Sequence, residues 1–88
     1  MADCHVACLR LAAGGHLGLH SAVSEQVFLV LEGEGWVEGA NGQREKIRAG
    51  EAAYWRNGEN HQSGSDQGLT ALLIEGEDLA MRLALRKQ

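Results

Sequence analysis

Proline is absent from this chain, cysteine occurs only twice, and aromatic residues make up 5% of it. Without proline, the turns fall to 12 glycines, which arrive at turn-like intervals. The two cysteines, Cys4 and Cys8, exclude a disulfide scaffold, because four residues of strand rise separate them by about 13 Å. His5 lies between them, but strand alternation points it to the face opposite both thiols. That argues against a zinc site and leaves two reduced, half-buried thiols. Also missing is any apolar run of the roughly 18 residues needed to cross a bilayer. The start Met1-Ala2-Asp3-Cys4-His5 lacks the basic flank and apolar core of a secretion signal, so a cytoplasmic location is expected. There is no basic run, and 8 Lys and Arg against 12 Asp and Glu give a net charge of −4. This balance argues against nucleic acid or an anionic membrane as partner. At 88 residues and 9.5 kDa, the chain is expected to be one domain, residues 1–88. A domain this small buries only about 60% of the surface its unfolded form exposes, so a partner subunit would add burial.

What is present is a series of short β signals. Leu9-Arg10-Leu11 reads as the end of a strand, closed by Gly14-Gly15. Gln26 to Leu31 is an unbroken run of β-branched, aliphatic and aromatic residues after its first position, as in a central strand. Gly33-Glu34-Gly35 bends the chain, Trp36 to Glu38 pairs back, and Asn41-Gly42 marks a hairpin loop over Gly39 to Gly42. Glu45 to Arg48, Ala52 to Trp55, His61 to Ser63 and Leu69 to Glu75 read as further strands. Short strands between glycine turns predict an all-β barrel or sandwich. In the tail, Leu79, Met81, Leu83 and Leu85 alternate as in a strand, but residue propensity and a capping Asp78 favour a short C-terminal helix.

Two segments carry motifs with fixed gaps. G-x5-H-x-H-x3-E-x6-G aligns with Gly14, His20, Ala22, Gln26 and Gly33; G-x5-P-x-G-x2-H-x3-N aligns with Gly50, Arg56, Gly58, His61 and Ser65. The spacing holds throughout, while Ala22 replaces a histidine, Gln26 an acid, Arg56 the proline and Ser65 the asparagine. These templates, at 14–33 and 50–65, are the two motifs of the cupin superfamily, which the chain resembles over roughly residues 9 to 76. The segments Glu25 to Val37 and Arg48 to Trp55 look like those of small single-domain bacterial cupins whose first motif reads H-x-A with a later Gln. The resemblance implies a single antiparallel cupin barrel, or jelly roll, with side chains from facing strands converging on one interior site. It also implies a possible metal at that site, held by His20, Gln26 and His61.

Reading those positions as chemistry gives a mixed set. Two imidazoles and a neutral amide could hold a divalent transition metal (Zn, Ni, Cu, Fe or Mn) loosely, since tight binding calls for a negative ligand and Ala22 cannot ligate. Glu25 cannot substitute, because adjacent strand residues face opposite ways and the spacing to Gly33 turns Gln26 inward. His16 has the parity of His20 but lies about 13 Å away along an extended chain, and reads as a loop histidine. Phe28 and Val30 share the face of Gln26, and Ser63 and Ser65 share that of His61. Tyr54 and Ala52 lie on one face of their strand, Trp55 and Ala53 on the other. Trp36, next to inward Val37, is expected to point outward, and Trp55 is grouped with it as a sign of a covered surface. The expected ligand-binding set is His20, Gln26, His61, Phe28, Tyr54 and Ser63. Fold implies little about reaction here. A cupin binding a small polar ligand, with no metal or a weak one, comes first. A metal-dependent enzyme of dioxygenase or sugar-acid isomerase type, with His20, Gln26 and His61 as ligands, comes second. A dimerising domain with a vestigial cavity comes third. No nucleophile–base pair stands out, and a homodimer joined through Cys4 to Leu11 is expected.

Overall fold

The structure, a computed structural model, describes residues 4–21 and 24–79, without the side chains of residues 19–21. Its seven regular elements are all strands: β1 (Cys4–Leu11), β2 (Gly15–Ser21), β3 (Glu25–Glu38), β4 (Arg44–Arg48), β5 (Ala52–Trp55), β6 (Asn60–Ser65) and β7 (Leu69–Gly76). All pairings are antiparallel. The helix expected in the tail beyond Leu79 lies outside the described residues.

β3 organises the molecule. Its first half pairs with β7 and β5, its second half with β4 and β6. Between them the register slips at Val30 and Glu32, and Gly33 takes a φ of 82° that L side chains rarely adopt. The strand therefore crosses from one sheet to the other. The first sheet runs β1-β7-β3-β5 and the second β4-β3-β6-β2. Successive strands alternate between the sheets, which gives a jelly-roll sandwich of the expected all-β class.

The inner faces follow from alternation. Leu11, Phe28, Val30, Trp55, Leu69 and Ala71 of the first sheet meet Val37 and Ile47 of the second in one buried cluster. Burial of a side chain such as Phe28, 1% exposed, contributes about 1.5–3 kcal/mol. Gly35 has no room for a Cβ, which would overlap the Gly64 carbonyl of the adjacent strand and the Leu69 side chain of the facing sheet.

The outer faces differ. On the second sheet, Glu38 accepts from Gln62 and pairs with Arg44 at 3.5 Å, while His16 bonds Gln62 at 3.1 Å. Trp36 lies across Gly64 in the same network, with the Arg44 guanidinium 3.5 Å from its ring centroid and His16 at 5.6 Å. Trp36 is thus outward, as expected, but covered by its own neighbours. On the first sheet the outer face is apolar. Val6 is 61% exposed and Tyr54 37%, with Leu72, Ile74 and Leu29 half-buried in the same face. Cys4 and Cys8 on β1 are exposed thiols and not the half-buried ones expected, because they lie with Val6 on the outer face of an edge strand.

Candidate functional site

Three residues of the two motif regions meet inside the sandwich. Gln26 at the start of β3 is 4% exposed, and its Oε1 finds no hydrogen-bond partner. His61 on β6 is 3% exposed, and its ring Nδ1 donates to the Glu59 carbonyl at 3.2 Å. A carbonyl only accepts, so Nδ1 carries the proton. Trp55 stacks on that imidazole, centroids 4.2 Å apart and planes 12° from parallel, and meets Phe28 at 6.0 Å.

The strand registers explain this convergence. Gln26 stands opposite Trp55 in the β3–β5 ladder, and directly opposed residues share a face. An inward Gln26 therefore brings Trp55 inward and turns Tyr54 outward. That corrects the expectation of an outward-leaning Trp55, which is 4% exposed. The alternation Ala-Ala-Tyr-Trp does not reveal which aromatic goes inside, and only pairing with β3 decides it. Tyr54, expected to line the site, instead stands beside Val27 on the outer face, where its hydroxyl donates to Glu25. Glu25 also accepts from the Asp78 amide at 2.6 Å. The hydrogen bond from Tyr54 to Glu25, then desolvation and the carboxylate's charge, raise the Tyr54 pKa above its usual value. Phe28 and Ser63 are buried on the inner faces, Ser63 between Val37 and Leu17 in register.

His20 is the register partner of His61, although its side chain lies outside the described residues. The same ladder slips between Leu17 and His20: Leu17 stands opposite Ser63, and His20, three residues on, opposite His61, only two residues away. This bulge breaks the parity that would place His16 with His20. His16 belongs to a strand, not a loop, and points outward to Gln62 and Trp36. Ala22 lies outside the described residues. Ser65, the last motif position, serves the fold: its hydroxyl donates to the Glu34 carbonyl at 2.6 Å and accepts from the Gly68 amide at 2.8 Å.

Tested as a metal centre, the motif residues do not fit a tightly held ion. Gln26 offers a buried acceptor aimed inward, but a neutral one. Glu25, the neighbouring carboxylate, is held on the other face by Tyr54 and Asp78. Among the described residues, no three His, Cys, Asp or Glu side chains come together as metal ligands. The motif residues themselves, two imidazoles and an amide, carry no negative charge to hold a divalent ion firmly, and Glu75, opposite Gln26 in register, forms no ligand cluster with other described His, Cys, Asp or Glu.

A second feature adjoins this cluster. A cleft of about 900 Å³ opens between the free edges of β4 and β5. Val37, Ile47, Ala53 and Trp55 line its inner part, and Glu45, Lys46, Glu51 and Glu59 stand among its polar residues. Gln26 and His61 do not line it, so Trp55 separates the cleft from the polar cluster and belongs to both. Among the described residues, no helix is long and apolar enough to cross a membrane.

Comparison with known proteins agrees with this architecture. A predicted oxalate decarboxylase from Thermotoga maritima is 29% identical with a TM-score of 0.72, over 78% of this chain and 62% of that one. An RmlC-like cupin from Shewanella frigidimarina is 19% identical with a TM-score of 0.80, over 84% of this chain and 66% of that one. The DMSP lyase DddQ from Ruegeria pomeroyi is 19% identical with a TM-score of 0.78, over 86% of this chain and 39% of that one. The chain thus spans 62% of the length of the first of these structures and less than half of the third. No protein of curated function matches it. Residues 8–75 match the Cupin domain family, and the chain belongs to that family.

Proposed function

We propose that this cupin binds a small polar molecule inside its barrel, with a metal weakly held at most, and that it is not built around a tight metal centre. The observation that carries the reading is Gln26. A buried acceptor without a partner costs on the order of 1–3 kcal/mol, and a chain retains such a group where something else supplies the donor. His61 and Trp55, stacked beside it, offer a buried imidazole and an aromatic wall to the same guest. His20, opposite His61 in register, and Ser63 complete the proposed set with Phe28. Tyr54 is left out of the binding role, since it is spent on Glu25.

The working unit is proposed to be a homodimer. The apolar outer face of the first sheet and the free edge of β1 carry exposed Val6, Cys4 and Cys8, while the second sheet's outer face is occupied by its own polar network.

Melting curves of tag-free protein against a library of small polar metabolites test the binding reading, because a ligand of the folded state alone raises the midpoint. Shifts that vanish in Gln26→Met and His61→Ala would support it. Elemental analysis of the same preparation is the second arm. A stoichiometric transition metal lost with Gln26→Ala would overturn the reading in favour of a metal-dependent cupin enzyme, with His20, Gln26 and His61 as ligands.

A further inference from the structure

We infer that the guest of this barrel carries an ammonium group, bound between the carboxylate of Glu75 and the amide oxygen of Gln26. This deepens the proposed binding function and rests on it. Glu75 lies on β7 directly opposite Gln26, which in turn lies directly opposite Trp55 on β5. With His5, opposite Glu75 on β1, they form one row across the first sheet, neighbouring Cβ atoms about 4.5–5.5 Å apart. Alternation from Leu69 and Ala71 in the core, through Leu73 packed against it, puts Glu75 on the inner face. It is half-buried, between exposed His5 and the deeper Gln26.

Two acceptors stand side by side without a donor. Gln26 Oε1 has no partner, and Glu75 makes no hydrogen bond or ion pair among the described residues. Among the described residues no Lys or Arg reaches them, and His5, opposite Glu75 on β1, makes no hydrogen bond or ion pair with it. Arg10 alternates with the inward pair Leu9 and Leu11, and Lys46 and Arg48 flank inward Ile47, so each points outward. Arg44 lies over Trp36 on the outer face, and Arg56 is exposed in the loop after β5. An anionic guest would meet the Glu75 carboxylate with no Lys or Arg of the described residues beside it. A neutral polyol would satisfy Gln26 and leave the carboxylate's charge unmatched. An ammonium group answers both: its N–H donors serve two acceptors at once, and its charge pairs with Glu75 in a partly desolvated setting. Trp55 at the end of the row adds an aromatic ring, which favours a cation. Glu45, Glu51 and Glu59 against Lys46 make the neighbouring cleft acidic as well.

The test uses the full chain, stripped of metal, with ethylammonium chloride, tetramethylammonium chloride, sodium propionate, ethylene glycol and zinc chloride as probes in melting and calorimetric titrations. Ethylammonium is expected to raise the melting midpoint saturably. Tetramethylammonium, which has the charge but no N–H, is expected to bind at least tenfold more weakly. Glu75→Gln should lose at least tenfold in ethylammonium affinity and Glu75→Asp should keep most of it, with circular dichroism confirming the fold. Should Glu75→Gln not fold, Gln26→Met makes the same test by removing the second acceptor. Propionate or ethylene glycol binding in a Gln26-dependent way, with no response to ethylammonium, overturns the ammonium assignment and leaves the binding reading standing. Zinc binding that Glu75→Gln abolishes, without ethylammonium binding, overturns it in favour of a metal. No response to any of these probes overturns the ammonium inference, and silence of the whole metabolite library overturns the binding function beneath it.

Discussion

Gln26 is polar at a position where the packing around it would accept a hydrophobe. Phe28 and Trp55 are its neighbours along and across the sheet, and its oxygen has no donor. Gln26→Met should therefore stabilise the unliganded protein, by about 1 kcal/mol, while removing the ligand-induced shift. Urea denaturation checks this, and a loss of stability would mean that the amide has a structural role. The double variant Ala22→His, Gln26→Glu restores a third imidazole and a carboxylate to the motif. It should raise zinc affinity by orders of magnitude in calorimetry, and no gain would mean that the motif positions do not converge. On the outer face, the raised Tyr54 pKa has a definite sign. The neutral phenol is favoured in the folded state, so its contribution is fully present below the usual tyrosine pKa of 10.0 and is lost as pH rises through the higher folded value. Tyr54→Phe should flatten the decline in stability above pH 10, as read by denaturation at stepped alkaline pH. An unchanged slope would show that Glu25 does not hold the phenol in solution.

Among the elements, β2 and β6 are the pair in which small irregularities decide chemistry. The bulge between Leu17 and His20 puts Leu17 opposite Ser63 and His20 opposite His61, so it governs which histidine meets the site. β6 also carries Gly64, whose absent side chain lets the Trp36 indole lie across the strand; a Cβ there would come within 2.5 Å of the ring. Gly64→Ala should displace Trp36 from between Arg44 and His16, costing about 1–3 kcal/mol. A lower denaturation midpoint with a shift in tryptophan emission is the expected result. A variant as stable as the parent would mean that the indole moves aside freely.

In the whole molecule, the two outer faces have different fates. One is closed by Arg44, Trp36, Glu38, Gln62 and His16, and the other leaves Val6 and Tyr54 at the surface, 61% and 37% exposed. β1 has a neighbour on only one side, and its unpaired backbone groups can continue a sheet. Sedimentation is expected to give twice the 9.5 kDa of the chain, and Val6→Asp to return it to one. If two β1 strands pair antiparallel about Val6, Cys4 faces the partner's Cys8, and mild oxidation with diamide should give a covalent dimer that Cys4→Ser prevents. A monomer at micromolar concentration would remove the dimer from the account.

Much of this was legible from the chain because glycine spacing and strand alternation are local. The all-β class, the two motif segments, the Asn41-Gly42 turn and the inward Gln26 all follow from neighbours within a few residues. What sits beside Gln26 is not local. In β7, Leu72 and Ile74 on one face are as apolar as Leu69 and Leu73 on the other, so alternation alone could not assign Glu75 to the interior. In β5, Tyr54 and Trp55 are equally aromatic, and in β2 a one-residue bulge breaks the parity that His16 shares with His20 in the sequence. Each of these was decided by the ladder a strand joins, because a register fixes which residues stand opposite one another, and a slip of one residue turns every side chain to the other face.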